Sequence, residues 1–183
     1  GRAMRIRFAG FGGQGIVSCG LNLGKAAMRD GKNSAQTQSY GSASRGGLTR
    51  ADVTIQDDEI YELDIDDLDV LVALSQQSYD KFIGELLPTG KLFYEADMVV
   101  PVEDSTVDAY GIPATDLAFK EFGRKIIANM IIMGLLNEIV GLVSYESLTM
   151  TIKESVPEGT EDLNIRAFNK GMQLGKELLA ERQ

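Results

Sequence analysis

The spacing of apolar positions changes along the chain from the alternation and short runs of strands to the three- and four-residue spacing of helices. Arg5–Ala9 reads as a first strand, and Ile16–Arg29 as a helix that stops at Asp30-Gly31, where glycine accepts the left-handed conformation. Leu48–Gln56 alternates through Val53 and Ile55; followed by Asp57-Asp58 and then Glu59–Glu62, it predicts an antiparallel hairpin turning on two acids. Asp69–Leu74 is a near-continuous apolar run, as a central strand covered on both faces requires. Ser78–Leu87 predicts a helix closed by Pro88 and Gly90, Lys91–Tyr94 the next strand, and Met98–Pro113 short extended pieces. Four helices complete the pattern: Ala114–Phe122 ended by Gly123, a long apolar Arg124–Val143, Tyr145–Glu154, and an amphipathic Asp162–Arg182 with Leu163, Ala167, Leu174 and Leu178 at helical spacing. The predicted class is α/β: a three-layer α/β/α sandwich around a mostly parallel, Rossmann-like sheet with one antiparallel hairpin. The pattern predicts a single domain over residues 4–183, with Gly1, Arg2 and Ala3 a remnant ahead of Met4.

Charge and composition then remove function classes. The formal net charge is −9, so the average surface repels nucleic-acid phosphates and anionic membranes, and neither is expected as a partner. Cys19 is the single cysteine and histidine is absent, which excludes a disulfide, a thiolate-held iron–sulfur cluster and a Ser/His or Cys/His nucleophile pair on this chain. A reducing, cytoplasmic compartment fits that count. Asn129, Asn137 and Glu138 interrupt the apolar run Ile126–Val143, so it reads as a buried helix and not a membrane span. That run is apolar around more than one face. A core helix under the terminal helix is one account, and a subunit interface the other.

Two segments carry candidate chemistry. GFGGQG places Gly10, Gly12 and Gly15 in G-x-G-x-x-G spacing between a strand and a helix, where backbone N–H groups and the helix dipole attract a pyrophosphate. Gly13 completes the turn and Gln14 adds an amide. The alternative is that the glycines only permit a tight turn and close packing. An NAD site also needs an acid about 20 residues further on, and Asn33–Gln38 contains none. The second segment, SYGSASRGG from Ser39 to Gly47, is too small and polar to bury much and reads as a surface loop. Arg45 offers a planar charged fork for phosphate or carboxylate and Tyr40 a stacking face, with Gly41, Gly46 and Gly47 giving access. A solvated loop whose Arg45 pairs with a surface acid remains the plainer account. Arg50 and Lys25 are further basic groups near these motifs. Asp64, Asp66, Asp67 and Asp69 lack the glycine and closing glutamate of a calcium loop and read as a solvated acidic turn; no metal and no catalytic residue is assigned. Cys19 reads as core.

In combination and order, GFGGQG, QSYGSASRGG, DVLVALSQQSYDKF, NMIIMG and GLVSYESL resemble the gamma subunit, or gamma domain, of 2-oxoacid:ferredoxin oxidoreductases, over Met4 to about Gly171. QTQSYG and SRGG look most like the 2-oxoglutarate branch; the pyruvate, branched-chain and indolepyruvate branches share the frame. The resemblance implies a complex that oxidatively decarboxylates a 2-oxoacid and traps the acyl group on coenzyme A. Thiamine diphosphate, magnesium and iron–sulfur clusters would lie on alpha, beta and ferredoxin-like partners, which pass electrons to ferredoxin. It implies that this chain contributes a partial coenzyme A site and helps hold the assembly, within which two copies of it could pair. Against it stand a purely structural assembly module and a stand-alone NAD or flavin oxidoreductase.

Overall fold

A computed structural model describes residues 3–40, 47–58 and 67–183. Six strands, β1 (Met4–Phe11), β2 (Asn33–Tyr40), β3 (Leu48–Gln56), β4 (Leu68–Ala73), β5 (Leu86–Glu95) and β6 (Asp108–Ile112), form one sheet in the order β2-β3-β1-β4-β5-β6. β1, β4, β5 and β6 run parallel, whereas β3 is antiparallel to both β1 and β2. The helices are α1 (Ile16–Arg29), α2 (Gln76–Phe82), α3 (Ala114–Phe122), α4 (Ala128–Val140), α5 (Tyr145–Ser155) and α6 (Glu161–Glu181).

The predicted three-layer α/β sandwich is present, with unequal layers. Alternate residues of the strands point to opposite faces. Ile6, Phe8, Val53, Val70, Val72, Phe93 and Tyr110 enter the larger core with α1, α3 and α4, while Ala9, Leu71, Ala73 and Leu92 pack with Tyr79 and Phe82 of α2 on the other face. On this thinner face, Arg7 is 1% exposed. Its guanidinium donates to both oxygens of Asp52 (2.7 and 3.2 Å) and to Glu85 (3.0 Å), and lies 4.6 Å from the Phe82 ring centroid. A buried cation needs such pairing, because an unmatched charge in the interior is costly.

Several elements differ from expectation. The antiparallel partners of Leu48–Gln56 are β1 and Asn33–Tyr40; the expected arm at 59–62 lies outside the described residues. β2 was hidden because its sequence, NSAQTQSY, has no alternating apolar pattern, and as an edge strand it buries little. The helix expected over Ser78–Leu87 ends at Phe82, and Pro88 and Gly90 lie inside β5. Proline is tolerated there because the β4–β5 register breaks between Leu68 and Val70, and Gly90 fits where a Cβ would meet Leu86 and the Asp69 carbonyl. Asp69 is not part of a solvated turn: it sits buried in β4 and accepts a hydrogen bond from the Arg5 N–H at 2.9 Å. Asp64 and Asp66 lie outside the described residues, and Asp67 is exposed.

The long apolar segment is core. After a short 3₁₀ turn at Lys125–Ile127, α4 runs to Gly141, which closes it in the left-handed conformation. Its buried face meets α6 at backbone-to-backbone distance: a Cβ on Gly134 would come within 1.9 Å of the Phe168 carbonyl oxygen, and one on Gly171 within 1.8 Å of that of Ile131. Asp30, at the end of α1, ties this layer together by accepting from Ser144 N–H and from the Ser144 and Ser147 hydroxyls at the start of α5. Because overpacking forces backbone shifts, Gly171→Ala is expected to destabilise the fold by about 3 kcal/mol in urea unfolding, whereas Gly84→Ala, where a Cβ meets nothing within 4 Å, is expected to be near neutral.

Candidate functional site

The Gly10–Gly15 turn joins the C-terminal end of β1 to α1. It lies where the sheet changes hand: α1 leaves toward one face and α2, which follows the neighbouring β4, covers the other. Gly13 and Gly15 have φ of 89° and 76°, which side chains resist. Gly10 is required for another reason, since a Cβ there would meet Gln14 Oε1 at 2.3 Å. That amide is folded over the turn: Oε1 accepts from the Phe11 N–H at 2.8 Å, and Nε2 donates to the Leu74 carbonyl at 2.9 Å and to Met98 Sδ at 3.5 Å. Gln14 therefore bridges the crevice between the ends of β1 and β4. Gly12 is different. Among the described residues a Cβ on it would meet nothing within 4 Å, and its φ is not positive, so no packing against them accounts for a glycine there.

α1 begins without a side-chain cap and without an acid in its first turn. Among the described residues the N–H groups of Gly12, Gly13, Ile16 and Val17 have no protein acceptor. Two cavities adjoin them, sharing Gly13, Ile126 and Asn129 as a common wall. The first, about 340 Å³, extends over the ends of the parallel strands to Leu74, Glu95, Thr115 and Lys125. The second, about 460 Å³, runs past Ser18 and Arg124 to Ser155, Pro157 and Asn164 at the junction of α5 and α6. Arg124 and Lys125 are exposed and, among the described residues, pair with no carboxylate; Lys125 instead lies 5.6 Å from the Phe119 ring centroid. Their field faces the uncapped helix end, locally opposing the acidic body.

Asn129 packs on the turn: a Cβ on Gly15 would meet its Nδ2 at 2.2 Å, and that nitrogen donates to the Gly15 carbonyl at 3.4 Å. It also hydrogen-bonds Cys19, which is fully buried in the larger core; burial pushes the thiol up to about 12 against the opposing effect of that bond. Glu95, only 2% exposed, closes the first cavity from the end of β5. Its Oε2 accepts from Thr115 N–H (2.8 Å) and hydroxyl (2.9 Å), and with Asp97, which accepts from Asp116 N–H (2.9 Å), it caps α3. Burial pushes the Glu95 carboxyl up to about 7, with the Thr115 bonds favouring charge and the Asp97 carboxyl disfavouring it.

The turn and its glycines lie together, but the second expected segment is only partly described. Tyr40 ends β2 and is 67% exposed, and Gly47 precedes β3; Gly41, Arg45 and Gly46 lie outside the described residues. The register pairs Phe11 with Leu48, which sets the base of that segment beside the glycine turn. Sequence reading missed Glu95, Thr115, Arg124 and Lys125 because each comes from a different turn or strand end and none forms a local motif.

A family model described as pyruvate ferredoxin/flavodoxin oxidoreductase matches residues 5–174. The chain belongs to this family. It is 43% identical to the 2-oxoglutarate synthase subunit KorC of Methanothermobacter marburgensis, with 97% of each chain covered. Identity is 33% both to the ketoisovalerate oxidoreductase subunit VorA of Methanothermobacter thermautotrophicus (95% of this chain, 37% of that one) and to the pyruvate synthase subunit PorC of M. marburgensis (90% and 93%). Among solved structures, the gamma subunit of the keto/oxoacid ferredoxin oxidoreductase of Geobacter sulfurreducens superposes with a TM-score of 0.84 at 32% identity, covering 95% of this chain and 99% of that one. The 2-oxoglutarate:ferredoxin oxidoreductase of Magnetococcus marinus, solved with 2-oxoglutarate, coenzyme A and succinyl-CoA, gives 0.87 at 27% identity over 97% of this chain and 32% of that longer one. The relatives are thus subunits or segments of 2-oxoacid oxidoreductases, and the expected family and gamma-subunit fold are both found. No helix among the described residues is long and apolar enough to cross a membrane.

Two outcomes follow for the side chains under the turn. Cys19 is expected to resist a thiol reagent such as DTNB at pH 8 in the native chain and to react fully in denaturant. Glu95 holds its proton more tightly folded than unfolded, so its contribution to stability is full below about 4.5, the ordinary carboxyl value, and is lost as pH rises through about 7. Urea midpoints measured from pH 5 to 8 are expected to fall in the native sequence relative to Glu95→Gln, with the gap changing by on the order of 2 kcal/mol.

Proposed function

We propose that this chain is the gamma subunit of a 2-oxoglutarate:ferredoxin oxidoreductase complex and supplies part of its coenzyme A site across the β1–α1 turn. One observation carries the reading: among the described residues Gly12 is open and lies beside backbone N–H groups without an acceptor, with Arg124 and Lys125 at the mouths of the two cavities that meet there. Backbone donors at a helix start take a pyrophosphate without a counter-charge of their own, and the two flanking cations supply that charge. The paired cavities, divided by Ile126, give an extended ligand a way out on either side. The higher identity to KorC than to PorC or VorA supports the 2-oxoglutarate branch.

The redox chemistry belongs, on this reading, to companion subunits holding thiamine diphosphate, magnesium and iron–sulfur clusters, since this chain offers one buried thiol and no histidine. Its surroundings support assembly. Met98, Val100, Phe119 and Ile126 are exposed large apolar residues near the cavities, more than a solvated rim requires, and a companion subunit covers them and completes the pocket. A cytoplasmic complex that delivers electrons to ferredoxin is the corresponding setting.

An assembly module without ligand contact is the second reading, favoured by one fact: Gln14, the one polar side chain in the turn, is committed to bonds within the chain. An NAD enzyme is disfavoured, because antiparallel β3 occupies the place beside β1 where a dinucleotide fold sets its second parallel strand. Calorimetry on the assembled complex separates the first two. Lys125→Gln and Arg124→Gln are each expected to weaken coenzyme A binding about fivefold to tenfold, as loss of one charge-assisted phosphate contact does, with the exposed Lys153→Gln unchanged. Unaltered affinity in both variants, with the complex intact, leaves only the assembly role.

A further inference from the structure

A second cavity system lies on the opposite, thinner face of the sheet and takes no part in the reading above. It measures about 250 Å³ and is bounded by Ser39, Tyr40, Arg50, Gln77, Lys81 and the Phe82 ring. Ser39 pairs with Arg50 in the β2–β3 register, so their side chains share the face that α2 covers. The buried Phe82 ring is the floor. Three cations gather round it: Arg7 at 4.6 Å from the centroid, Lys81 at 5.6 Å and Arg50 at 5.8 Å.

Among the described residues two carboxylates lie within ion-pair distance of them, and Arg7 holds the hydrogen bonds to both. Arg7 takes Asp52 through two hydrogen bonds and Glu85 through a third. Arg50 is left 3.8 Å from Asp52 Oδ2, beyond hydrogen-bond distance, and Lys81 has no carboxylate within ion-pair reach among the described residues. Counting these five groups, three positive charges face two negative ones, in a chain whose total is −9. Arg50 and Lys81 both line the cavity, together with Ser39 and Gln77. Residues that carry a guanidinium, an ammonium, a hydroxyl and an amide around one small concavity offer the donor types an oxyanion takes. The exposed face of Tyr40 gives the attached group a surface to lie on.

We propose that this cavity is a second oxyanion site, binding a phosphate or carboxylate group of a small molecule through Arg50 and Lys81. The proposal is independent of the coenzyme A reading, which uses the β1–α1 turn and different cations. Arg7 is a positioning residue here: by absorbing Asp52 and Glu85 it leaves Arg50 and Lys81 available.

The test is a titration of the isotope-labelled full chain with inorganic phosphate, followed by NMR at constant ionic strength with chloride as the balancing anion. Saturable shifts are expected at the amides of Ser39, Tyr40, Gln77 and Lys81 and at the Arg50 side-chain N–H. Arg50→Gln and Lys81→Gln are each expected to weaken the fitted affinity about tenfold, with thermal unfolding confirming that each variant is folded. Lys125→Gln is expected to leave these shifts as they are. A parallel titration with acetate identifies the group preferred: tighter phosphate binding assigns a phosphorylated ligand, tighter acetate a carboxylate. Shifts that grow linearly with either anion, that chloride reproduces, or that survive unchanged in a folded Arg50→Gln variant overturn the site. So does their loss in Lys125→Gln, which would move the phosphate to the glycine turn.

Discussion

The contact on which the arrangement depends is the one between the backbones of α4 and α6. Gly134 and Gly171 remove the side chains that would hold these helices apart, and Gly175 does the same against Glu138 further along. Helices that meet this closely are fixed in rotation and height, because any slide drives a carbonyl into a neighbouring chain. Fixing α4 fixes its first turn. Asn129 then rests on Gly15, Ile126 projects between the two cavities, and Arg124 and Lys125 are carried to the mouth of the β1–α1 turn. The edge of the molecule that carries these two cations is thus set from the far side of the core.

The same economy governs the turn itself. A glycine-rich connection left to its own entropy would sample many shapes. Gln14 prevents this by bonding Phe11 and Leu74, and the glycine at position 10 is what gives its amide room. The turn is therefore held in one shape, with the N–H groups that lack an acceptor among the described residues fixed in direction, so that the proposed binding carries a low ordering cost. Glu95 and Asp97 act alike on the opposite wall, holding the start of α3, which has no cap of its own behind Pro113.

Much of this was legible in the sequence where the local signal and the tertiary need agree. Ile16–Arg29, Leu48–Gln56 and Ala114–Phe122 have the predicted limits, because their ends are punctuated by glycine, acids or proline and their apolar spacing is unbroken. Cys19 as core was likewise readable. What escaped was set by neighbours. β2 has no apolar pattern and exists because β3 offers it a ladder; β5 takes in a proline and a glycine because a break in register leaves room for them. The site was legible only in its glycine turn. Its cations and Glu95 are assembled from separate strand ends and helix starts, and no spacing rule reaches across such distances.

Met98 bears on the chemistry of damage. Its sulfur is the weakest of the acceptors that Gln14 uses, and the side chain is among the exposed large apolar ones. Conversion of the thioether to a sulfoxide would place a strong polar acceptor beside that amide, in competition with the Leu74 carbonyl. With the lone thiol sealed in the interior, oxidants would reach the turn through this methionine first, and its reduction back to the thioether would restore the bridge.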